Sequence, residues 1–136
     1  MIKTMTNAEM VSAVNRIAAM QSRETENKEK IFGEHITVNY AIRKNKEKLL
    51  NLLKPYSESM NDLLEACRAA ELDKDGNVKI RKDCINKWNS GIKELQNIEL
   101  EVDVHMVKFA DIKGLKLSMD DLEAIDFMLE PPEDFK

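Results

Sequence analysis

Cysteine, proline, glycine and aromatic residues are all scarce in this 136-residue chain, which holds two cysteines, three prolines, four glycines and 5% aromatics. Each scarcity removes a class of protein. Cys67 and Cys84 form no CxxC pair, so a structural zinc site is unsupported. In the reducing compartment expected for this chain they read as free thiols and not as a disulfide. Gly33, Gly76, Gly91 and Gly114 stand alone, and none belongs to a phosphate-binding loop or a nucleophile elbow. No apolar run approaches the roughly eighteen residues that a bilayer span requires. Thr4, Thr6, Asn7 and Glu9 interrupt the N-terminus where a signal peptide needs an apolar stretch. The expected location is therefore the cytoplasm, with no membrane contact.

What remains is helix-forming. Hydrophobic residues are 43% and charged residues 34%, a charged share suited to helices with solvated faces. The length suits one domain with its own core. Eight methionines supply flexible, polarisable side chains that fill irregular cores or adaptable partner surfaces. The net charge of −4 is unevenly spread. Residues 1–98 carry 17 lysines and arginines against 14 acids, a balance of +3, and residues 99–136 carry 4 against 11, a balance of −7. Such a globally acidic chain is not expected to bind a nucleic-acid polymer.

Thr6 and Glu9 form a capping-box signature, followed by Met10, Val14, Ile17 and Ala18 at helical spacing, which predicts an amphipathic helix to about Gln21. Ser22 to Lys30 is charged and reads as a helix extension or linker, stopped at Phe32-Gly33. The longest helix starts near Thr37 and runs to Cys67. Leu49, Leu50, Leu52 and Leu53 cover an arc of roughly 160°, wider than one packing face needs, which points to self-association or to burial between neighbours. Pro55 predicts a kink or break near Leu52–Lys54. Asp73 to Asn77 reads as a turn and Val78–Ile80 as a short strand. Asp83 is expected to cap a third helix bearing Ile85, Trp88, Ile92, Leu95 and Ile98. Leu100, Val102, Val104 and Met106 alternate with polar residues as a strand that can pair with Val78–Ile80. Ser118 with Asp121 starts a last short helix, stopped by Pro131-Pro132. The expected fold is α+β and predominantly α-helical, with a long kinked central helix and a small antiparallel two-stranded ribbon. Residues 1–30 make the N-terminal helix and charged linker, 31–130 the helical core with its ribbon, and 131–136 a disordered tail.

Few residues suggest chemistry. Asp73, Asp75 and Asn77 resemble a calcium loop only superficially, because Gly76 and Cys84 fall where an EF-hand needs other spacing. Glu101, Asp103 and His105 share one face of a strand and are weak candidates for a divalent cation, although their spacing of about 7 Å also suits the wet face of an edge strand. His35 has no nucleophile near it in sequence, and Cys67 lies on an apolar stripe where a thiol is usually inert packing. A Cys–His catalytic pair would need the tertiary fold to build it. The best binding candidate is the basic cluster of the central helix. Asn39, Arg43 and Lys46 share one face, and Tyr40, Lys44 and Lys48 another. Arginine and lysine there suit phosphate oxygens, with Tyr40 as a stacking surface and Lys79, Arg81 and Lys82 as added charge. The competing reading is a solvated helix face. No catalytic residue and no cofactor is implied.

Several of these segments resemble a family of small proteins of unknown function encoded by phages and prophages of Gram-positive bacteria. The likeness rests on Ile42, Lys44-Asn45, Leu49 and Tyr56, on the turn Lys74-Asp75-Gly76-Asn77-Val78, and on Glu94-Leu95. It continues through Glu99, Glu101-Val102-Asp103-Val104, Leu117-Ser118, Leu122 and Met128. It spans Ile36 to Glu130 and not the first thirty residues. The resemblance implies a non-enzymatic accessory protein in the host cytoplasm. Its expected role is counter-defence, by binding a host immune protein or sequestering a nucleotide signal. The alternatives are a scaffold or chaperone in virion assembly and, further off, a metal-dependent enzyme.

Overall fold

The computed structural model describes residues 1–130, so the expected tail at 131–136 lies outside the described residues. The fold is α+β and mostly helical, as the periodicities predict. A strand β1 (Ile2–Thr6) runs directly into helix α1 (Asn7–Asn27), and α2 (Ile36–Leu52) and α3 (Lys54–Cys67) follow. After a loop and a 3-10 turn at Lys82–Cys84 come α4 (Ile85–Gln96), β2 (Glu99–Asp103), β3 (Val107–Lys108) and the single turn α5 (Phe109–Ile112). The described chain closes with α6 (Met119–Ile125), a second 3-10 turn and β4 (Leu129–Glu130).

The first helix starts as its capping box dictates. Glu9 N–H donates to Thr6 Oγ1 at 3.1 Å, and Thr6 N–H donates to Glu9 Oε1 at 3.0 Å. Met10, Ala13, Ile17 and Met20 then bury one stripe. The charged stretch after Gln21 is the helical extension of the two options, and it continues to Asn27. It ends before Phe32-Gly33, where Lys28 turns left-handed at φ 53° and donates its N–H to Glu24 and Thr25 carbonyls.

The segment expected as one long helix consists of α2 and α3, divided at Leu53 inside the predicted Leu52–Lys54 interval. Pro55 lies in the first turn of α3, where a missing N–H costs least. The Leu arc is divided accordingly, with Leu49 and Leu53 buried and Leu50 left exposed.

The ribbon is antiparallel and two-stranded, but its partner differs from the expected one. The β2 strand pairs with β1 in the register Ile2↔Asp103 to Thr6↔Glu99. Val78–Ile80 forms no strand, and Ile80 makes only an isolated bridge to Arg68. The physical reason is burial. Pairing β1 with β2 places Met5 and Val102 in the core, whereas Val78 stays exposed. A second small pairing, parallel, joins β3 to β4. Asp83 does not cap α4. Its carboxylate accepts from Arg81 Nε at 3.3 Å, and α4 begins after Cys84 with no side-chain cap. The Asp73–Asn77 turn forms as expected, with Asp73 Oδ1 accepting the N–H groups of Asp75 and Asn77 at 2.9 and 2.8 Å.

The core lies among α1, α2, α6 and the β1–β2 ribbon. Met10, Ile17, Met20, Val38, Leu49, Val102, Ile125 and Met128 meet there with essentially no exposure. Four of the eight methionines, Met5, Met10, Met20 and Met128, are core residues. The α3–α4 pair is peripheral, since α4 has no buried residue and α3 buries only Cys67.

At Ser118 a second capping box starts α6, with Asp121 N–H donating to Ser118 Oγ and Ser118 N–H to Asp121 Oδ2, both at 3.1 Å. Asp121 also accepts from Arg23 Nη2 at 2.8 Å, tying α6 to α1. Burial pushes the Asp121 carboxyl up, but the hydrogen bonds from Arg23 and Ser118 outweigh it and hold the group below the ordinary carboxylate value. A carboxyl with a depressed folded pKa binds fewer protons folded than unfolded, so its contribution is present above the unfolded value of 3.8 and is lost as pH falls through the folded one. Asp121→Asn is expected to cost about 1 kcal/mol near neutrality, given the partial exposure of Arg23. The gap from the parent protein should narrow below about pH 4. Urea melts at pH 7 and pH 3 check this, and a gap that is unchanged or wider at pH 3 would count against it.

Candidate functional site

The first turns of α2 carry the binding candidates, and the structure treats them unequally. Asn39 and Arg43 line a cleft of about 420 Å³ between the end of α1 and the start of α2, together with Gln21, Glu24, Lys28, Lys30 and Phe32. The cleft is held open locally. Glu24 Oε2 accepts the Ile31 N–H at 2.9 Å, and Asn39 Nδ2 donates to the Gly33 carbonyl at 3.2 Å. On the far side of Arg43 the surface continues into a shallow depression of about 490 Å³ shared by Lys30, Glu34, Ile36, Asn39, Tyr40 and Arg43.

The basic cluster does not act as one unit. Lys46 Nζ donates to Gln21 Oε1 at 2.7 Å, and Lys48 Nζ donates to the Asp103 carbonyl at 2.8 Å. Both are engaged by other parts of the chain, on opposite sides of the helix. Arg43 and Lys44 have no hydrogen-bond or ion-pair partner among the described residues. Lys79, Arg81 and Lys82 belong to the α3–α4 connection and do not line the cleft. Glu24, Glu29 and Glu34 stand in the same walls as Lys28, Lys30 and Arg43, so the cationic character is nearly cancelled.

One residue of this face was not legible as part of a site. Ile36 opens α2 and is 80% exposed, one turn before Tyr40, which is 54% exposed. Ile36, Tyr40 and Arg43 stand at i, i+4 and i+7, so they form a single outward stripe. The only available signal was an apolar residue at the edge of the helix pattern, easily taken for core. Tyr40 is steadied by His105, whose ring lies edge-on with centroids 5.6 Å apart.

Glu101, Asp103 and His105 do not assemble. Among the described residues no three histidine, cysteine or acidic side chains converge as metal ligands. Strand β2 ends at Asp103, whose carboxylate lies 3.4 Å from the Met1 amino group, while His105 turns to Tyr40. His35 Nδ1 pairs with Thr37 Oγ1 at 3.1 Å, and Cys67 and Cys84 are buried free thiols at the α3–α4 connection, where Cys84 meets Arg81 and the Ala66 carbonyl, so neither cysteine is hydrogen-bonded to a histidine. The helix position that sequence reasoning passed over is Asn45, 1% exposed. Its Nδ2 donates to the His105 carbonyl and its Oδ1 accepts the His105 N–H, both at 2.8 Å. The side chain thus pairs with the β2–β3 connection as a strand would, and it places His105 under Tyr40.

Among the described residues no helix is long and apolar enough to cross a membrane. Comparisons with protein-family models, curated proteins and solved structures give no match.

Proposed function

We propose that this protein acts by binding another protein, without catalysis, through the α2 stripe of Ile36, Tyr40 and Arg43. The observation that carries the reading is the exposure of a large aliphatic residue and a tyrosine beside an unpaired arginine on one helix face. Tyrosine and arginine dominate the energetic centres of protein interfaces, and an exposed isoleucine beside them adds apolar area to bury. The rim of Lys30, Glu34 and Asn39 supplies polar groups of both signs, as an interface edge does. The resemblance to small phage proteins makes counter-defence in the cytoplasm of an infected or lysogenic bacterium the proposed role, with a host immune protein as partner. Service in virion assembly is the competing role for the same face.

A nucleotide ligand is the second reading, because Asn39, Arg43, Lys28 and Lys30 share a cleft of about 420 Å³. Glu24 and Glu29 in that cleft weigh against an anion, since like charges there raise the cost of binding phosphate. The test is affinity capture from phage-infected cells with the parent protein and with Ile36→Glu/Tyr40→Ala, paired with native mass spectrometry. The expected result is a stoichiometric protein partner whose capture falls at least tenfold in the variant, with unchanged circular dichroism. Equal capture by both proteins would sink the stripe. A small-molecule adduct lost on Arg43→Ala would transfer the reading to the nucleotide, and a captured head or tail protein would assign the role to assembly.

A further inference from the structure

Where α3 gives way to α4 the chain doubles back on itself. The Arg81 N–H donates to the Cys67 carbonyl at 2.9 Å and the Ala69 N–H to the Lys79 carbonyl at 2.8 Å, with Arg68 bridged to Ile80 between them. The 3-10 turn at Lys82–Cys84 then folds Cys84 inward, so that its Sγ lies 3.8 Å from the carbonyl of Ala66, the residue before Cys67, and both cysteines are buried there as free thiols. Arg81 covers the pair from the surface. Its guanidinium donates to Cys84 Sγ at 3.0 Å and to the Ala66 carbonyl at 3.1 Å, and its Nε reaches Asp83.

A buried cysteine is ordinarily inert. Two features set this pair apart. Each thiol has the other as a neighbour, and one of them has a charged donor on its sulfur, placed to hold the negative charge that develops there in a nucleophilic step. Cys67 has the opposite surroundings. Burial, and then the hydrogen bond and charge of Cys84, push its thiol above the ordinary value, so it keeps its proton until a partner takes it.

We propose that Cys67 and Cys84 are a redox-active dithiol, with Cys84 attacking and Cys67 resolving, that a hydroperoxide closes to an intramolecular disulfide. In the first step the Cys84 sulfur attacks one peroxide oxygen. The S–O bond forms as the O–O bond breaks, and with hydrogen peroxide the departing oxygen leaves as water with the thiol proton. In the second step the Cys67 sulfur attacks the sulfenic sulfur. The S–S bond forms, the S–O bond breaks, and hydroxide leaves with the Cys67 proton as a second water. Two electrons pass from the thiols to the peroxide. Arg81 is a positioning residue that holds Cys84. The cross-link ties the end of α3 to the start of α4 in the least buried part of the fold, so oxidation stiffens that helical pair against the core.

The test uses the full-length reduced protein treated with hydrogen peroxide, read by intact mass, non-reducing peptide mapping and melting temperature. Both thiols should disappear together, with loss of two hydrogens, a linked Cys67–Cys84 peptide, a melt raised by a few degrees and full reversal by dithiothreitol. Arg81→Gln should slow closure roughly tenfold at an unchanged fold. Cys67→Ser should strand a sulfenic acid on Cys84 that dimedone traps. Oxygen addition to either cysteine without a linked peptide overturns the proposal, as does a disulfide between chains. So does a parent protein whose thiols resist peroxide until it is unfolded. Should Cys67→Ser fail to fold, an unaltered closure rate in Arg81→Gln still overturns the part given to Arg81.

Discussion

Phe32→Ala is expected to lower the unfolding free energy by about 4 kcal/mol, the upper range for removing a buried aromatic side chain. Phe32 is 1% exposed and heads the fully buried side chains by volume. It sits in the short turn between α1 and α2, where the neighbouring backbone bonds are the local contacts of Gly33 with Lys30 and of His35 with Phe32. Glu24 and Asn39 tie the turn to the flanking helices through Ile31 and Gly33, and the ring is what anchors it in the core. Its loss removes the transfer energy of the ring and leaves a cavity that a turn next to two helix ends closes only partly. A domain of this size has about 5–15 kcal/mol in total, so the variant should be a marginal fold. Urea denaturation read by circular dichroism measures it, and a loss under about 1.5 kcal/mol would show that the turn is anchored otherwise.

Asn45→Ala should cost about 3 kcal/mol for a different reason. The amide meets both the N–H and the carbonyl of His105, and its removal orphans a donor and an acceptor together. A buried backbone group left unpaired costs about 1–3 kcal/mol, and alanine offers neither with a substitute. Asn45→Leu fills the volume but restores no bond, so it should recover at most part of the loss. Amide exchange at His105 gives a local readout, with protection in the parent protein expected to collapse in either variant. A fully protected His105 in Asn45→Ala would mean that water replaces the amide. Since His105 supports Tyr40, the substitution should also weaken capture of a partner more than a core change of equal cost elsewhere.

These two positions mark the border between what was legible and what was not. Thr6 with Glu9, and Ser118 with Asp121, announce helix starts because the cap and its N–H lie three residues apart. Pro55 announces the break at Leu53, and the Asp73 side chain builds its own turn within four residues. Asn45 carries no local mark of its role, because its partner is 60 positions away. Ile2–Thr6 stood before a strong helix signal and paired with a strand nearly a hundred residues on, so the ribbon was expected and its partner was not. Helical spacing places the basic cluster on two faces, Arg43 with Lys46 and Lys44 with Lys48, as binding candidates. Gln21 and the Asp103 carbonyl then engage Lys46 and Lys48, leaving Arg43 and Lys44 outside those bonds. The pairing of Cys67 and Cys84 under Arg81 had no sequence signal, since the spacing matches no redox motif.

By itself the amino-acid order determined the helical class, the capped starts of the first and last helices, the turn at Asp73–Asn77 and the scarcity of recognisable catalytic motifs. All of these rest on groups within about one helical turn of each other, whose contacts need little loop closure. Tertiary structure alone decided which strand completes the ribbon, which cations stay unpaired, and which apolar side chains, Ile36 and Tyr40 among them, are left facing solvent. Those outcomes depend on which distant surfaces compete for the same core, and burial, being non-directional, leaves no local mark in the chain.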